Sequence, residues 1–158
     1  MSTFYTTKLA KIYGTDLAVQ VAPRLQNLVE QYRRRIPIPA ETSLSERDSF
    51  LITYADQVGE TGKLPLQTLR EFCLAYLLGV VSGIHLLPFY PWSSDDGFSI
   101  KDYRAVDPSL GNWHDVEQLG DSFRFMFDGV INHASAQGDW FQAFLRDEAP
   151  YRDYFLTV

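Results

Sequence analysis

The chain has 158 residues, 14 of them basic and 20 acidic, for a formal net charge of −6. It is 46% hydrophobic and 15% aromatic, which excludes a disordered segment, and an acidic balance without a long basic run argues against a binder of phosphate backbones. One cysteine, Cys73, excludes an internal disulfide, and the polar, mixed stretch over 2–11 offers no secretory leader, so the expected address is the cytoplasm.

Residues 16–32 place Leu17, Val21, Leu25, Leu28, Val29 and Tyr32 near one face of a helix. Arg33, Arg34 and Arg35 follow as a basic helix end that suits the macrodipole, and Pro37 and Pro39 stop the helix. Residues 37–46 read as a loop or linker. A short apolar run over 50–55 predicts a strand that closes on Asp56. Residues 66–78 carry helical spacing (Leu66, Leu69, Phe72, Cys73, Tyr76, Leu77), with Pro65 in the first turn.

Residues 84–90 predict a second strand, followed by a polar loop over 92–101. A short helix is expected over 115–119 with Asn112 as its cap. A third strand is expected over 123–131, apolar on both faces, and a further helix begins at Trp140. Residues 73–94 carry no formal charge and are long enough for a membrane span. Pro88 and Pro91 break that stretch, and Gly79, Ser82, Gly83 and His85 interrupt it, so it reads as a helix end, a turn and a buried strand, with no membrane partner.

Strand–helix alternation of this kind predicts an α/β fold with a parallel sheet under helices, its ligands at the carboxyl ends of the strands. Polar groups collect there: Asp56, then Ser93-Ser94-Asp95-Asp96-Gly97-Phe98, then Asn132-His133. Carboxylates beside Tyr90, Trp92 and Phe98 suit a sugar, because carboxylates accept from hydroxyls while a flat ring covers the apolar face of a pyranose. An ordinary turn explains Asp-Asp-Gly equally well, and a satisfied strand-end histidine explains His133. Asp128, Asn132 and His133 lack the spacing of a metal set, Cys73 sits in an apolar helix, and no Gly-x-Ser-x-Gly or phosphate-binding glycine loop occurs. Tyr151, Tyr154 and Phe155 read as core or interface.

The stretch from Ile84 to Tyr103 (IHLLPFYPWSSDDGFSIKDY) resembles the second-strand region of the sucrose phosphorylase branch of the α-amylase superfamily. Phe127-Asp-Gly-Val-Ile-Asn-His133 resembles that superfamily's Asp-x-x-x-Asn-His motif at the end of its third barrel strand. Leu51-Ile-Thr-Tyr-Ala-Asp56 is similar to its first strand, and Val106–Val116 to its linking helix. The helices before them resemble the extension of the glucosylglycerate phosphorylase group.

The resemblance implies about three β/α units from the N-terminal part of a TIM (β/α)8 barrel over 47–158, preceded by a helical extension and linker over 1–46. It implies that Asp95 binds glucosyl hydroxyls, that Phe98 is the stacking platform and that His133 bonds the 6-hydroxyl region. Asp102, Tyr103, Asp128 and Asn132 take supporting roles at the strand ends. It further implies a sugar substrate and inorganic phosphate, no cofactor, no metal and no nucleic acid. The expected activity is retaining glucosyl transfer to phosphate from sucrose or a glucosylglycerate-like donor. Its nucleophile and acid–base carboxylates are expected beyond Val158, so no catalytic residue is expected in this chain. Another retaining α-glucosyl hydrolase or transferase, or a non-catalytic sugar- or partner-binding piece, are the alternatives. Alone, the piece is expected to be inactive, and to aggregate or to associate with the missing barrel half or with its own copies.

Overall fold

A computed structural model describes residues 2–36 and 44–157. The chain divides into two compact units, Met1–Ser43 and Leu44–Val158. In the first, helix α1 (Ser2–Tyr13) and helix α2 (Thr15–Arg33) flank Gly14 and pack on each other. The residue pattern did not reveal α1, whose apolar and polar side chains are mixed around the helix and so carry little amphipathic signal. It also chose the wrong stripe on α2. Ala18 and Ala22, one turn apart, are the buried positions, while Leu17, Leu28, Val29 and Tyr32 are exposed. Arg33, Arg34 and Arg35 are exposed, and Arg34 pairs with Glu30 at 3.4 Å. Most of the expected 37–46 loop lies outside the described residues.

In the second unit, β1 (Phe50–Thr53), β2 (Gly83–Leu86) and β3 (Arg124–Phe127) form a parallel sheet in the order β1-β2-β3. Helix α3 (Pro65–Tyr76) crosses from β1 to β2, and α4 (Trp113–Gly120) from β2 to β3. Helix α5 (Asp139–Leu145) and a 3-10 turn, Tyr151–Asp153, follow. The architecture is α/β, as the alternation predicts. The strands are shorter than the apolar runs that announced them, because residues 87–90 and 128–131 leave the ladder and become loop. The uncharged 73–94 stretch divides into the end of α3, a turn and β2. Among the described residues no helix is long and apolar enough to cross a membrane.

Register decides which face each strand residue serves. Leu51, Ile84 and Phe125 form one cross-strand row, and Thr53, Leu86 and Phe127 the next. Ile84 and Leu86 are fully buried in a core with Leu66, Leu69 and Cys73 of α3, Val116 and Leu119 of α4, and Phe89. Burial raises the pKa of the Cys73 thiol, which makes it a packing residue rather than a nucleophile. Strand side chains alternate, so Ile52, His85 and Met126 form a row on the opposite face, where Ile52 is 64% and Met126 45% exposed. Two-sided burial, expected for β3, is absent there, since Arg124, Met126 and Phe127 are exposed, whereas β2 is buried or half-buried throughout. On that open face the Phe50 ring lies directly over Gly83, where any Cβ would collide with it. Arg124 forms an ion pair with Asp48 across the sheet.

α4 starts where the sequence placed its cap. Asn112 Oδ1 accepts from the backbone N–H groups of His114 (2.8 Å) and Asp115 (3.3 Å), and Asp115 Oδ2 accepts from Asn112 N–H (2.9 Å). Asp115 is buried, and its second oxygen accepts from Gln67 Nε2 at 2.9 Å, which ties α4 to α3. Asn112→Ala is expected to cost about 1 kcal/mol of stability, and Leu119→Ala about 2–5 kcal/mol because it leaves a cavity between α4 and the sheet. Urea denaturation of the full-length protein measures both, and the order of the two losses is the check.

Candidate carbohydrate-binding site

The strands run parallel and in register, so the loops after them emerge along one edge. The loop after β2 is braced within itself. Trp92 and Ile100 form an antiparallel bridge, Ser93 N–H donates to the Ser99 carbonyl at 3.0 Å, and Lys101 N–H donates to the Pro91 carbonyl at 2.7 Å. At its tip Asp95, Asp96 and Gly97 form a 3-10 turn in which all three residues have positive φ (62°, 47° and 98°). Left-handed conformations in two adjacent non-glycine residues cost of order 1–3 kcal/mol each, and such strain concentrates at ligand sites. Gly97 is required twice over: its φ is left-handed, and a Cβ there would stand 2.9 Å from the Pro88 carbonyl oxygen.

The loop after β3 is pinned to this one. Ser135 is buried; its hydroxyl lies 2.6 Å from that of Ser93, and its N–H donates to the Ile100 carbonyl at 2.9 Å. His133 Nε2 stands 3.1 Å from the Phe98 carbonyl oxygen. A carbonyl only accepts, so Nε2 carries the proton and Nδ1 remains for another partner. The Tyr103 hydroxyl lies 2.8 Å from the Val130 carbonyl and 3.1 Å from the His133 carbonyl, holding both ends of the turn that presents Asn132. Burial, with Tyr90 nearby, raises the pKa of Tyr103, so the phenol keeps the proton it donates.

Of the residues singled out in the sequence, Phe98, His133 and Tyr103 are thus directly connected. Asp95 and Asn132 are exposed, and among the described residues no side-chain hydrogen bond engages either, which leaves them available to a ligand. Asp128 turns instead to His85, whose Nε2 lies 3.0 Å from its Oδ2. The sequence reading passed over His85. Its partner lies one strand away, and no local pattern reveals a cross-strand pair. Asp102 serves its own loop: it accepts from Arg104 Nε (3.0 Å) and Arg104 N–H (2.9 Å).

Aromatic rings surround these groups. Tyr103 stacks on Trp140 with ring centroids 5.6 Å apart, Arg104 lies over the Trp140 ring, and Trp140 meets Tyr154 edge-on. Beside His133 a cavity of about 670 Å³ opens, lined by Asn132, Tyr103, Trp140, Tyr154 and Phe155 among others. Tyr151, Tyr154 and Phe155 are not core residues, since Tyr154 is 52% exposed and the other two are half-buried; they make ring contacts with their neighbours, and Tyr154 and Phe155 wall this cavity. With hydroxyl acceptors, one imidazole and flat rings, this edge of the sheet can hold a pyranose by hydrogen bonding and stacking. Among the described residues no group of three or more His, Cys, Asp or Glu side chains is placed to hold a metal ion.

The Arg104 guanidinium holds the Asp102 carboxyl below the usual carboxylate range. A carboxylate with a lowered folded pKa stabilises the fold above its unfolded pKa, and that contribution fades as pH falls through the folded value. Arg104→Ala is therefore expected to raise the Asp102 midpoint toward the ordinary range, which a carbon-13 NMR titration of the aspartate carboxyl carbons reads directly. An unmoved midpoint would mean that the pair is not formed in solution.

Comparison with known proteins extends this picture. Residues 73–158 match the model of the α-amylase catalytic domain. Glucosylglycerate phosphorylase from Spirochaeta thermophila is 46% identical over 156 residues, a match that takes in 95% of this chain and 27% of that protein. The Escherichia coli K12 glucosylglycerate phosphorylase is 40% identical over 153 residues, covering 97% and 27%. Sucrose phosphorylase from Streptococcus mutans is 40% identical over 111 residues, covering 69% and 22%. Among solved structures, sucrose 6F-phosphate phosphorylase from Thermoanaerobacter thermosaccharolyticum superposes with a TM-score of 0.62 at 32% identity, over 71% of this chain and 22% of that one. The trehalulose synthase of Pseudomonas mesoacidophila MX-45 superposes with a TM-score of 0.60 at 31% identity, over 70% and 22%. The chain spans about a quarter of the length of these relatives. Parallel β/α units in the order β1-β2-β3 and a family match over more than half its residues together establish that this chain belongs to the α-amylase catalytic-domain family.

Proposed function

We propose that the protein carrying this chain is a retaining glycoside phosphorylase that moves a glucosyl unit from a glucosylglycerate-like donor, or from sucrose, to inorganic phosphate. The extent of the likeness carries this reading. The match to glucosylglycerate phosphorylases takes in 95% of the chain, which is impossible without the helical unit Met1–Ser43, whereas the match to sucrose phosphorylase takes in 69%. That difference favours the glucosylglycerate-like donor.

In this reading Asp95 accepts from the glucosyl hydroxyls and the Phe98 ring lies under the sugar. His133 faces the 6-hydroxyl region with Nδ1, its Nε2–H remaining on the Phe98 carbonyl. Tyr103, Asp102 and Asp128 support the strand ends and loops that carry them, and Asn132 takes a supporting place beside His133. The unit described here becomes the first part of a (β/α)8 barrel whose later strands carry the reacting carboxylates. One carboxylate attacks the anomeric carbon while a carboxylic acid gives its proton to the departing oxygen. A phosphate oxygen then displaces the carboxylate, and the configuration is retained as α-glucose 1-phosphate. The scheme calls for no cofactor and no metal.

Likeness to a trehalulose synthase, a mutant of which has been solved with the substrate sucrose bound, favours a second reading: glucosyl transfer on the same barrel without phosphate. Incubating the full-length protein with glucosylglycerate or sucrose, with and without phosphate, separates the two. Glucose 1-phosphate that forms only when phosphate is present is the expected result. Sugar release or isomerisation that ignores phosphate supports the second reading, and no turnover of either donor leaves a binding protein. Asp95→Ala, which removes a charged acceptor, is expected to lower kcat/KM by roughly 10- to 100-fold.

A further inference from the structure

A second opening lies at the same edge of the sheet, between the loop after β1 and the loop after β2. It is a crevice of about 340 Å³, and none of Asp95, Phe98 and His133 lines it. Pro88 and Leu110 contribute apolar surface. Around them stand two aromatic rings, Tyr54 and Trp92, and two carboxylates, Asp56 and Asp96, one of each on either loop. The bridge to Ile100 fixes the Trp92 backbone, and the residue is 42% exposed, which leaves ring surface for a ligand. Among the described residues, no hydrogen bond or ion pair engages Asp56 or Asp96. Ser109, also in the lining, donates its hydroxyl to Asp107 Oδ1 at 2.6 Å and turns its lone pairs elsewhere.

The chemistry of this lining selects its ligand. Its size falls at the small end of ligand pockets and suits one monosaccharide. Two carboxylates without any basic residue repel phosphate and carboxylate ligands and accept from hydroxyl groups. An aromatic ring on each loop can cover the apolar face of a pyranose. A bare divalent cation fits poorly, since only two carboxylates are present and no third acidic, His or Cys ligand joins them. We infer that the crevice between Tyr54-Ala55-Asp56 and Trp92–Gly97 binds a neutral sugar, with Asp56 and Asp96 as the hydroxyl acceptors and Trp92 as the stacking wall.

Fluorine NMR of the full-length protein labelled with 5-fluorotryptophan tests this, with the Trp92 resonance assigned through Trp92→Phe. Titration with glucose is expected to shift that resonance saturably. The shift should persist in Asp95→Asn, and its midpoint should move to at least about tenfold higher glucose in Asp96→Ala and, on the opposite loop, in Asp56→Ala. Two variants on separate loops guard against a folding defect in either one, and an unchanged thermal melt confirms each. No shift with glucose overturns the inference. So does a shift abolished by Asp95→Asn and indifferent to both alanine variants, because the effect would then be relayed from the His133 side. A Trp92 shift produced by calcium chloride but not by glucose overturns it as well, and assigns the carboxylates to a cation.

Discussion

Everything at the ligand edge depends on one constraint, the parallel register in which Thr53, Leu86 and Phe127 lie side by side. A register slip of one residue would turn Ile84 and Leu86 out of the core and bring His85 in. With the register set, three chain segments far apart in sequence leave the sheet at one edge, each carrying its own polar groups. α3 and α4 maintain it by filling the face that Ile84 and Leu86 present. The Asn112–Asp115 capping box, locked to Gln67, ties the two helices together.

The loop after β2 builds on that edge by accepting strain. Two adjacent aspartates in left-handed conformations are tolerable because the flanking segment is over-determined: a bridge at Trp92 and Ile100, paired hydroxyls at Ser93 and Ser135, and Gly97 against the Pro88 carbonyl. A turn without left-handed residues would carry the two carboxylates on a different backbone path. In the strained one, Asp96 lines the crevice shared with Tyr54 and Asp56, whereas Asp95 does not. Adjacent residues of the same type therefore serve different surroundings.

The open face of the sheet has a related logic. Ile52 and Met126 are exposed while His85 between them reaches across to Asp128. A hydrogen-bonded polar pair within an apolar row fits a surface that becomes interior in a longer barrel, where an unpaired imidazole would be costly. The relatives, about four times as long, match this chain over a corresponding fraction of their length.

The order of elements was legible in the sequence because apolar runs, prolines and caps are local signals: Pro65 opens α3, Asn112 caps α4, and the strand runs alternate with both. Asp95, Phe98 and His133 stood out as candidates for the same reason, as a motif in one stretch and a motif in another, and their roles toward a sugar belong to the proposed function. Helix α1 was missed because its apolar and polar residues are mixed around the helix and leave no clear stripe to read. The buried stripe of α2 was misread because two alanines pack closely where larger apolar residues are exposed. The pairing of His85 with Asp128, the bond from His133 to the Phe98 carbonyl and the crevice between Asp56 and Asp96 were decided by tertiary structure alone. Each joins residues on different strands or loops, and only the register of the sheet brings them side by side. By itself the sequence determined which side chains the ligand edge carries; which of them face one another was settled by how three parallel strands align.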